Sequence, residues 1–326
     1  MDETVSKYLS GLAIGEPQRH KNMSVFPLSI PFDGGPDYMT LKDALEKALL
    51  SVTEVSSGGS VPELKVTNAA DTAVLLLDGE ELAGAKQNRV LNTTILVKEK
   101  SETVIPVSCT EQGRWAYVSK AFRDSDTVMS PKLRGEKART VAASLSGTGQ
   151  YRSDQGTVWR SINEMAAKAG TVSETGAMKD TFVQKSAELG EYLKAFPAVP
   201  SQKGLLVFIG GEAVGLDFVS REKAFELLHP KLIKSYAMEA VLEDKKNGAK
   251  PGRESAEAFL KEAAECQEKK YESVGRGHDF RYEGKTIVGS ALAVDGQVVH
   301  LAFFRVGEAD KSGDLASTRR RIRFRL

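Results

Sequence analysis

The chain is poor in sulfur and in imidazole. Its two cysteines, Cys109 and Cys266, lie far apart and neither sits in a Cys-x-x-Cys pair, which excludes a disulfide framework and a clustered-thiolate metal site. The four histidines (His20, His229, His278, His300) show no His-x-x-x-His or His-Glu-x-x-His spacing, so no metal is assigned to them. Surplus charge is missing too. Lys plus Arg number 45 against 44 Asp plus Glu, a net charge of +1, and no global field draws the chain to nucleic acid or membrane. Long apolar runs are absent: residues 204–211, among the longest, fall far short of a bilayer span. The opening MDETVSKYLS has neither the basic nor the apolar region of a secretory signal. Together these absences favour a reducing, cytoplasmic setting. Internal repeats and low-complexity tracts are lacking as well. Gly210, Gly211 and Gly215 do not form a dinucleotide fingerprint, because no G-x-G-x-x-G opens a helix there, and no cofactor is assigned.

What is present is ordinary in bulk: 326 residues, 41% apolar and 27% charged, fitting one large globular domain or two of common size. Residues 24–32 alternate as a first strand, and 37–50 carry Leu41, Ala44, Leu45, Ala48 and Leu49 at helical spacing. Residues 51–56 and 64–68, separated by a Ser-Gly turn, predict a hairpin or short crossover. From 131 to 169 the pattern is helical. A helix over 132–145 carries Lys132, Arg134, Lys137 and Arg139, Gly147 and Gly149 end it, and Ser153 or Asp154 caps a second helix. A third spans 182–196 and stops before Pro197. Residues 204–209 and 213–219 form a strand pair whose tip bears Asp217. Residues 221–242 are helical but split by Pro230, and 254–271 form an amphipathic helix. Residues 276–305 predict a three-stranded meander with an Asp295-Gly296 turn. Strands, then helices, then strands give an α+β class with mostly antiparallel sheets and a central block of helices. We expect one large α+β domain over residues 1–326, with a sub-boundary at 197–203 and a basic tail at 306–326.

Residues 74–115 are the most informative stretch. Three apolar runs, 74–77, 90–97 and 104–107, alternate with segments dense in Asp, Glu, Lys, Gln, Asn and Arg. The solvated KEKSE loop predicts that the runs flanking it pair as a hairpin. If Val97 faces Thr103, paired residues sum to about 200. Arg89 then faces Glu111, Leu91 faces Cys109, and residues 84–89 and 109–115 share one sheet end.

The runs DGEELAGAKQNRVLNTTILV and IPVSCTEQGRW, with the later blocks SLSGTGQYRSDQGTVW, GLLVFIGGEAVGLDFVS and SYAMEA, resemble the ARG and rhodanese-phosphatase-superfamily-associated protein domain family, in which ARG stands for ADP-ribosylglycohydrolase. The resemblance covers roughly residues 10–305. It implies company with enzymes of ADP-ribose and NAD metabolism, and it brings no established catalytic residues to carry over.

Candidate chemistry therefore comes from the residues. Asp78, Glu80, Glu81 and Glu111 are the candidate acid–base groups. Lys86, Gln87, Asn88, Arg89, Asn92, Cys109, Arg114 and Trp115 are candidate ligand contacts, with Arg and Lys suited to phosphate. The bland reading of the same charges is a solvated loop with a structural Arg89–Glu111 pair. Cys109 needs a neighbouring cation to act as a nucleophile and is otherwise inert packing. Trp115 and Tyr117 offer stacking faces or close a core edge. The GTGQYRSDQG segment is a phosphate cradle or, lacking P-loop spacing, a capped loop. Asp154, Gln155 and Trp159 lie in a block that resembles the family and take second rank. Magnesium on Asp78, Glu80 or Glu81 stays open. The Arg319 to Arg325 cluster suits an RNA or acidic partner, an edge strand, or a frayed tail. Two functions follow: a cytoplasmic protein that binds, and processes or not, a nucleotide-derived small molecule, or a non-catalytic interaction module.

Overall fold

A computed structural model describes residues 1–31, 35–56, 58–243 and 250–307. Most of the basic tail, with the Arg319 to Arg325 cluster, lies outside them. The class is α+β, with eight helices among the described residues and strands that pair antiparallel with one exception. The largest sheet runs in the order Ala13–Ile14, Met23–Ser29, Gly204–Ile209, Glu212–Val219, Gln297–Arg305, Ile287–Val294, His278–Glu283, Gln267–Glu272, and Gln18–His20 adds to Met23–Ser29 off that path. The pairing of Met23–Ser29 with Gly204–Ile209 puts the segments on either side of residues 197–203 into one sheet.

Both faces of the middle of this sheet are covered, which is why central strands such as Gly204–Ile209 are apolar throughout rather than alternating with polar residues. In Gly204–Ile209, Leu206 and Phe208 point into the core that the helices Glu3–Gly11 and Arg253–Ala264 close. Leu205, Val207 and Ile209 point into the opposite core, with Val158, Leu189, Phe225 and Tyr236 of the helices Gln155–Ala169, Ser186–Ala195 and Glu222–Leu242. A second β body holds the six strands Phe122–Val128, Glu80–Gly84, Arg89–Leu91, Ser101–Cys109, Glu63–Asn68 and Leu50–Glu54. Against it lie the three strands Ile95–Val97, Ala73–Leu76 and Tyr38–Thr40, the last two parallel. Leu64, Val66, Val74, Leu76, Ile95 and Ile105 fill the space between.

Several elements depart from the sequence pattern. The helix expected over 37–50 is a strand, Tyr38–Thr40, followed by a short helix Leu41–Glu46 that the Thr40 side chain caps. The 182–196 helix is two, Met178–Gln184 and Ser186–Ala195, broken at Lys185. Glu222–Leu242 runs unbroken through Pro230, because Phe225 and Leu228 on one side and Leu232, Ile233 and Tyr236 on the other are held in the same core. Arg253–Ala264 ends early: QEKKYE lacks the apolar spacing to continue it, and pairs instead as Gln267–Glu272 with His278–Glu283. Asp217 is not at a strand tip but buried within Glu212–Val219. No helix among the described residues is long and apolar enough to cross a membrane.

The helix Pro131–Thr148 joins the two β bodies. Gly135 lets it press on the large sheet, where a Cβ would meet Phe304 Cβ at 3.2 Å and Val306 Cγ1 at 3.1 Å. Arg134 forks onto Asp217 of that sheet at 2.8 and 2.7 Å. One turn on, Lys137 pairs with Asp78 of the second body and donates to the Leu91 carbonyl at 2.8 Å. Replacing Asp217 by Asn should strand the Arg134 guanidinium without its main counter-charge, at a cost of roughly 3 kcal/mol. Denaturant unfolding should show a lower midpoint with an unchanged slope. A loss below about 1 kcal/mol would show that Asp78, 3.6 Å from Arg134 Nε, holds the guanidinium unaided.

Candidate functional site

The run expected as one strand over 90–97 breaks at Asn92, Thr93 and Thr94. Arg89–Leu91 pairs with Ser101–Cys109, whereas Ile95–Val97 turns away to pair with Ala73–Leu76. The expected hairpin across KEKSE does not form, because the first part of Ser101–Cys109 pairs with Glu63–Asn68 instead. The register is Val107 to Leu91 and Cys109 to Arg89. Arg89 therefore faces Cys109, not Glu111, and Leu91 faces Val107, not Cys109. The ends of the two strands do meet: Thr110 N donates to the Asn88 carbonyl at 3.1 Å, and Arg114 Nη1 to the Ala85 carbonyl at 2.8 Å. Glu80–Gly84 flanks Arg89–Leu91, with Leu82 opposite Arg89.

The candidate residues separate into distinct surroundings. Glu111 is clamped. It accepts from Arg114 Nε at 2.9 Å and Nη2 at 2.5 Å, from Asn88 N at 3.1 Å and from Thr175 Oγ1 at 2.9 Å. Burial raises its carboxyl, but these donors outweigh burial and hold it below the usual range. Asp78 and Glu80 point away toward the helices. Asp78 belongs to Lys137 and Arg134, while Glu80 takes Lys231 Nζ at 2.8 Å and Leu77 N at 2.8 Å. Lys231 also reaches Asp124 at 2.7 Å. Glu81 is buried against Thr110, whose hydroxyl donates to it at 2.6 Å. Asn92 bonds Ser108 Oγ at 2.7 Å and the Tyr151 carbonyl at 3.0 Å. Gln155 closes the end of a strand by bonding both Cys109 N at 2.8 Å and Cys109 O at 2.9 Å. Asp154 caps its helix through Thr157 N at 2.6 Å. Trp159 is half-buried on that helix, its Nε1 buried without a hydrogen-bond partner.

The remaining candidates form one group, and Glu54 joins them. Arg89 is fully buried, its Nη1 donating to Gln87 Oε1 at 3.0 Å. Its Nη2 stands 3.9 Å from Glu54 Oε1. Neither Nε nor Nη2, and neither Glu54 oxygen, has a hydrogen-bond partner. The Trp115 ring lies 5.6 Å from the guanidinium. Lys86 Nζ sits 5.3 Å from the Trp115 ring and 5.1 Å from that of Tyr117, and donates to the Gly58 carbonyl at 2.6 Å. Burial lowers Arg89, opposed by Cys109 and Glu54. Burial raises the Cys109 thiol and Arg89 only partly offsets it, so at neutral pH the thiol form, a poor nucleophile, prevails.

The family model of the ARG and Rhodanese-Phosphatase-superfamily-associated Protein domain matches residues 11–304. The chain belongs to that family. No curated protein and no solved structure matches it. In this family member a further row of polar residues lies behind the central stretch. Thr94 Oγ1 accepts from Asp78 N at 3.0 Å and contacts His300 Nδ1 at 2.9 Å. His300 Nε2 lies 3.3 Å from Asp217 Oδ1, and Tyr236 donates to Asp217 Oδ2 at 2.9 Å. A carboxylate only accepts, so His300 Nε2 donates to Asp217, and the Thr94 hydroxyl shares a hydrogen bond with Nδ1. This hydroxyl–imidazole–carboxylate row has the order of a nucleophile triad. It is sealed in the core, and Arg134 already occupies its carboxylate, so its role is structural. The sequence signal was the spacing of Arg134 and Lys137, three apart and hence on one helix face.

Burial pushes the Glu81 carboxyl from its ordinary 4.5 up to about 7, against the Thr110 and Ser125 hydroxyls. A folded value above the unfolded one gives stability that is complete below about pH 4.5 and lost as pH rises through 7. Glu81→Gln keeps the shape and cannot ionise. Urea titrations should therefore show the variant gaining on the parent by on the order of 3 kcal/mol between pH 4.5 and pH 8. A difference that does not vary with pH would show that Glu81 does not titrate in that window.

Proposed function

We propose that the chain is a binding protein for a nucleotide-derived small molecule of the ADP-ribose and NAD kind, received where Arg89 and Glu54 meet beneath Trp115 and Lys86. The supporting observation is the incomplete pairing of two buried, opposite charges. A buried polar group left without a partner costs about 1–3 kcal/mol and a charged one more, so such groups mark places that ligands or ordered water complete. The chemistry suits the ligand class. A guanidinium donates to phosphate or carbonyl oxygen, and a carboxylate accepts from ribose hydroxyls or an amide. Trp115 is 48% exposed and offers its face to a base, and Lys86 adds a cation at the rim. Entry requires Trp115 and Lys86 to swing aside, and Trp115 lies in a stretch, residues 113–119, without helix or strand. The family's association with ADP-ribose and NAD enzymes supports the choice of ligand. Binding is favoured over turnover because Asp78, Glu80 and Glu111 are committed to cations.

A second function, a protein-interaction module, is favoured by the run of exposed apolar side chains at Trp115, Tyr117 (51%) and Val118 (65%), since aromatic anchors dominate protein interfaces. One experiment separates the two. Of the two tryptophans, Trp159→Phe leaves Trp115 as the sole indole reporter. ADP-ribose, NAD or AMP at 100 times its Kd should stabilise the protein by roughly 2.7 kcal/mol and change the Trp115 emission, and Trp115→Ala should fold normally yet lose most of that stabilisation. Unchanged melting and emission with all three would sink the ligand proposal and leave the interaction module.

A further inference from the structure

A cleft of about 400 Å³ opens between the helix Pro131–Thr148 and the edge of the large sheet, far along the chain from Arg89. Arg139, Ala142, Ala143 and Ser146 line it from the helix, and Lys269 and Arg281 from the strands Gln267–Glu272 and His278–Glu283. The helix residues recur at three- and four-residue spacing, so they form one face. Ala142 and Ala143 are too small for that face to fill the space.

The charges here are arranged against their own interest. Lys269 and Arg281 stand directly opposite each other in the antiparallel pair. Like charges at opposed positions destabilise a sheet. Lys269 Nζ donates to the Ser146 hydroxyl at 2.9 Å, a neutral partner. Arg281 is buried and spends Nε and Nη2 on Asp279, at 2.5 and 3.0 Å, and Nη2 also on Thr93 Oγ1 at 2.6 Å. Its third nitrogen, Nη1, is left for the cleft. Tyr151, 5.5 Å from the guanidinium, braces it from the other side. Arg139 lines the opposite wall. Of the acids at the rim, Glu268 accepts from the Asp2 backbone N–H at 2.7 Å, and Glu283 stands opposite Gln267, one step along the face.

We propose that this cleft is a second ligand site, for a small molecule bearing a phosphate or pyrophosphate, whose oxygens would lie between Lys269 and Arg281 and relieve their repulsion. A guanidinium anchored by its own carboxylate presents its remaining N–H groups in a fixed direction, as oxyanion recognition requires. The site is separate from that of Arg89 and stands or falls independently of it.

The test uses the full chain and three probes, orthophosphate, pyrophosphate and ADP, against sodium chloride at matched ionic strength. Pyrophosphate should raise the melting temperature by roughly 3 °C at saturation. Equal shifts with pyrophosphate and ADP assign the site to the oxyanion alone, and a tighter response to ADP assigns it to a nucleotide. Lys269→Met should weaken the apparent affinity about tenfold or more, yet melt no lower than the parent in chloride, because the opposed charges are gone. Lys270→Met, on the same strand but the other face, should respond as the parent does. The proposal is overturned if no probe shifts the parent beyond chloride, or if Lys269→Met keeps the full shift. It is also overturned if Lys269→Met melts several degrees lower in chloride and its affinity is unchanged, which would make Lys269 a structural residue.

Discussion

Two carboxylates and two cations, Asp78, Asp217, Arg134 and Lys137, are fixed in the middle of the protein with almost no contact with water. Dehydrating four charges is costly, and their mutual attraction offsets that cost only where geometry is good and the remaining polar positions are filled. Here most are filled, by Tyr236, His300, the Leu91 carbonyl and, through Asp78 N, Thr94, while Arg134 Nε, 3.6 Å from Asp78, makes no hydrogen bond. Asp217 is accordingly held at about 2, because Arg134 and His300 overcome the effect of burial. The network dictates backbone as well as side chains. Gly79 has φ of +85°, and a Cβ there would lie 2.8 Å from Arg134 Cδ, so the Asp78-Gly79 turn accommodates the arginine only with glycine. The helix Pro131–Thr148 is therefore held to both β bodies by the same pair of side chains.

The break at Asn92, Thr93 and Thr94 distributes that constraint. Three consecutive polar side chains bond three separate parts of the chain: Asn92 the Tyr151 carbonyl, Thr93 Asp279 and Arg281, and Thr94 His300. A continuous strand would send alternate residues to opposite faces and could not serve all three. Arg89 lies only four residues before Thr93, at most about 14 Å along the chain. The group beneath Trp115 and the strand that carries Asp279 and Arg281 are thus joined through one short segment held at both ends.

How much of this was legible in the sequence depended on how local the cause was. Gly204–Ile209 and the Asp295-Gly296 hairpin follow from composition and turn chemistry within a few residues, and the Asp154 cap follows from one side chain. The register of Arg89 did not. KEKSE looked like a hairpin loop, but Ser101–Cys109 finds a longer partner in Glu63–Asn68, and the competition between two distant strands has no local signature. The gathering of Lys86, Arg89, Cys109 and Trp115 at one sheet end was still foreseeable, because a slip of two residues keeps each side chain on its face. Glu54 was not, since nothing in a short strand ending LSVTE shows that its last carboxylate will look at an arginine 35 residues later. Arg134 and Lys137 were visible as charge, and their spacing placed them on one face. Their burial was not visible, because it depends on acids from two other segments.

Charge at this end of the fold differs in kind, and the difference matters more than the density does. Asp78, Glu80 and Glu111 have cations and donors at short distances. Such groups specify structure. Arg89 and Glu54, by contrast, are dehydrated to the same degree and left with open hydrogen-bonding positions 3.9 Å apart. Around Arg134 the Nε is left in the same state, 3.6 Å from Asp78 Oδ2, whereas here two atoms of each partner are. The shared incompleteness of Arg89 and Glu54, two opposite charges facing each other, is the physical support for the proposal that recognition takes place at this end of the sheet.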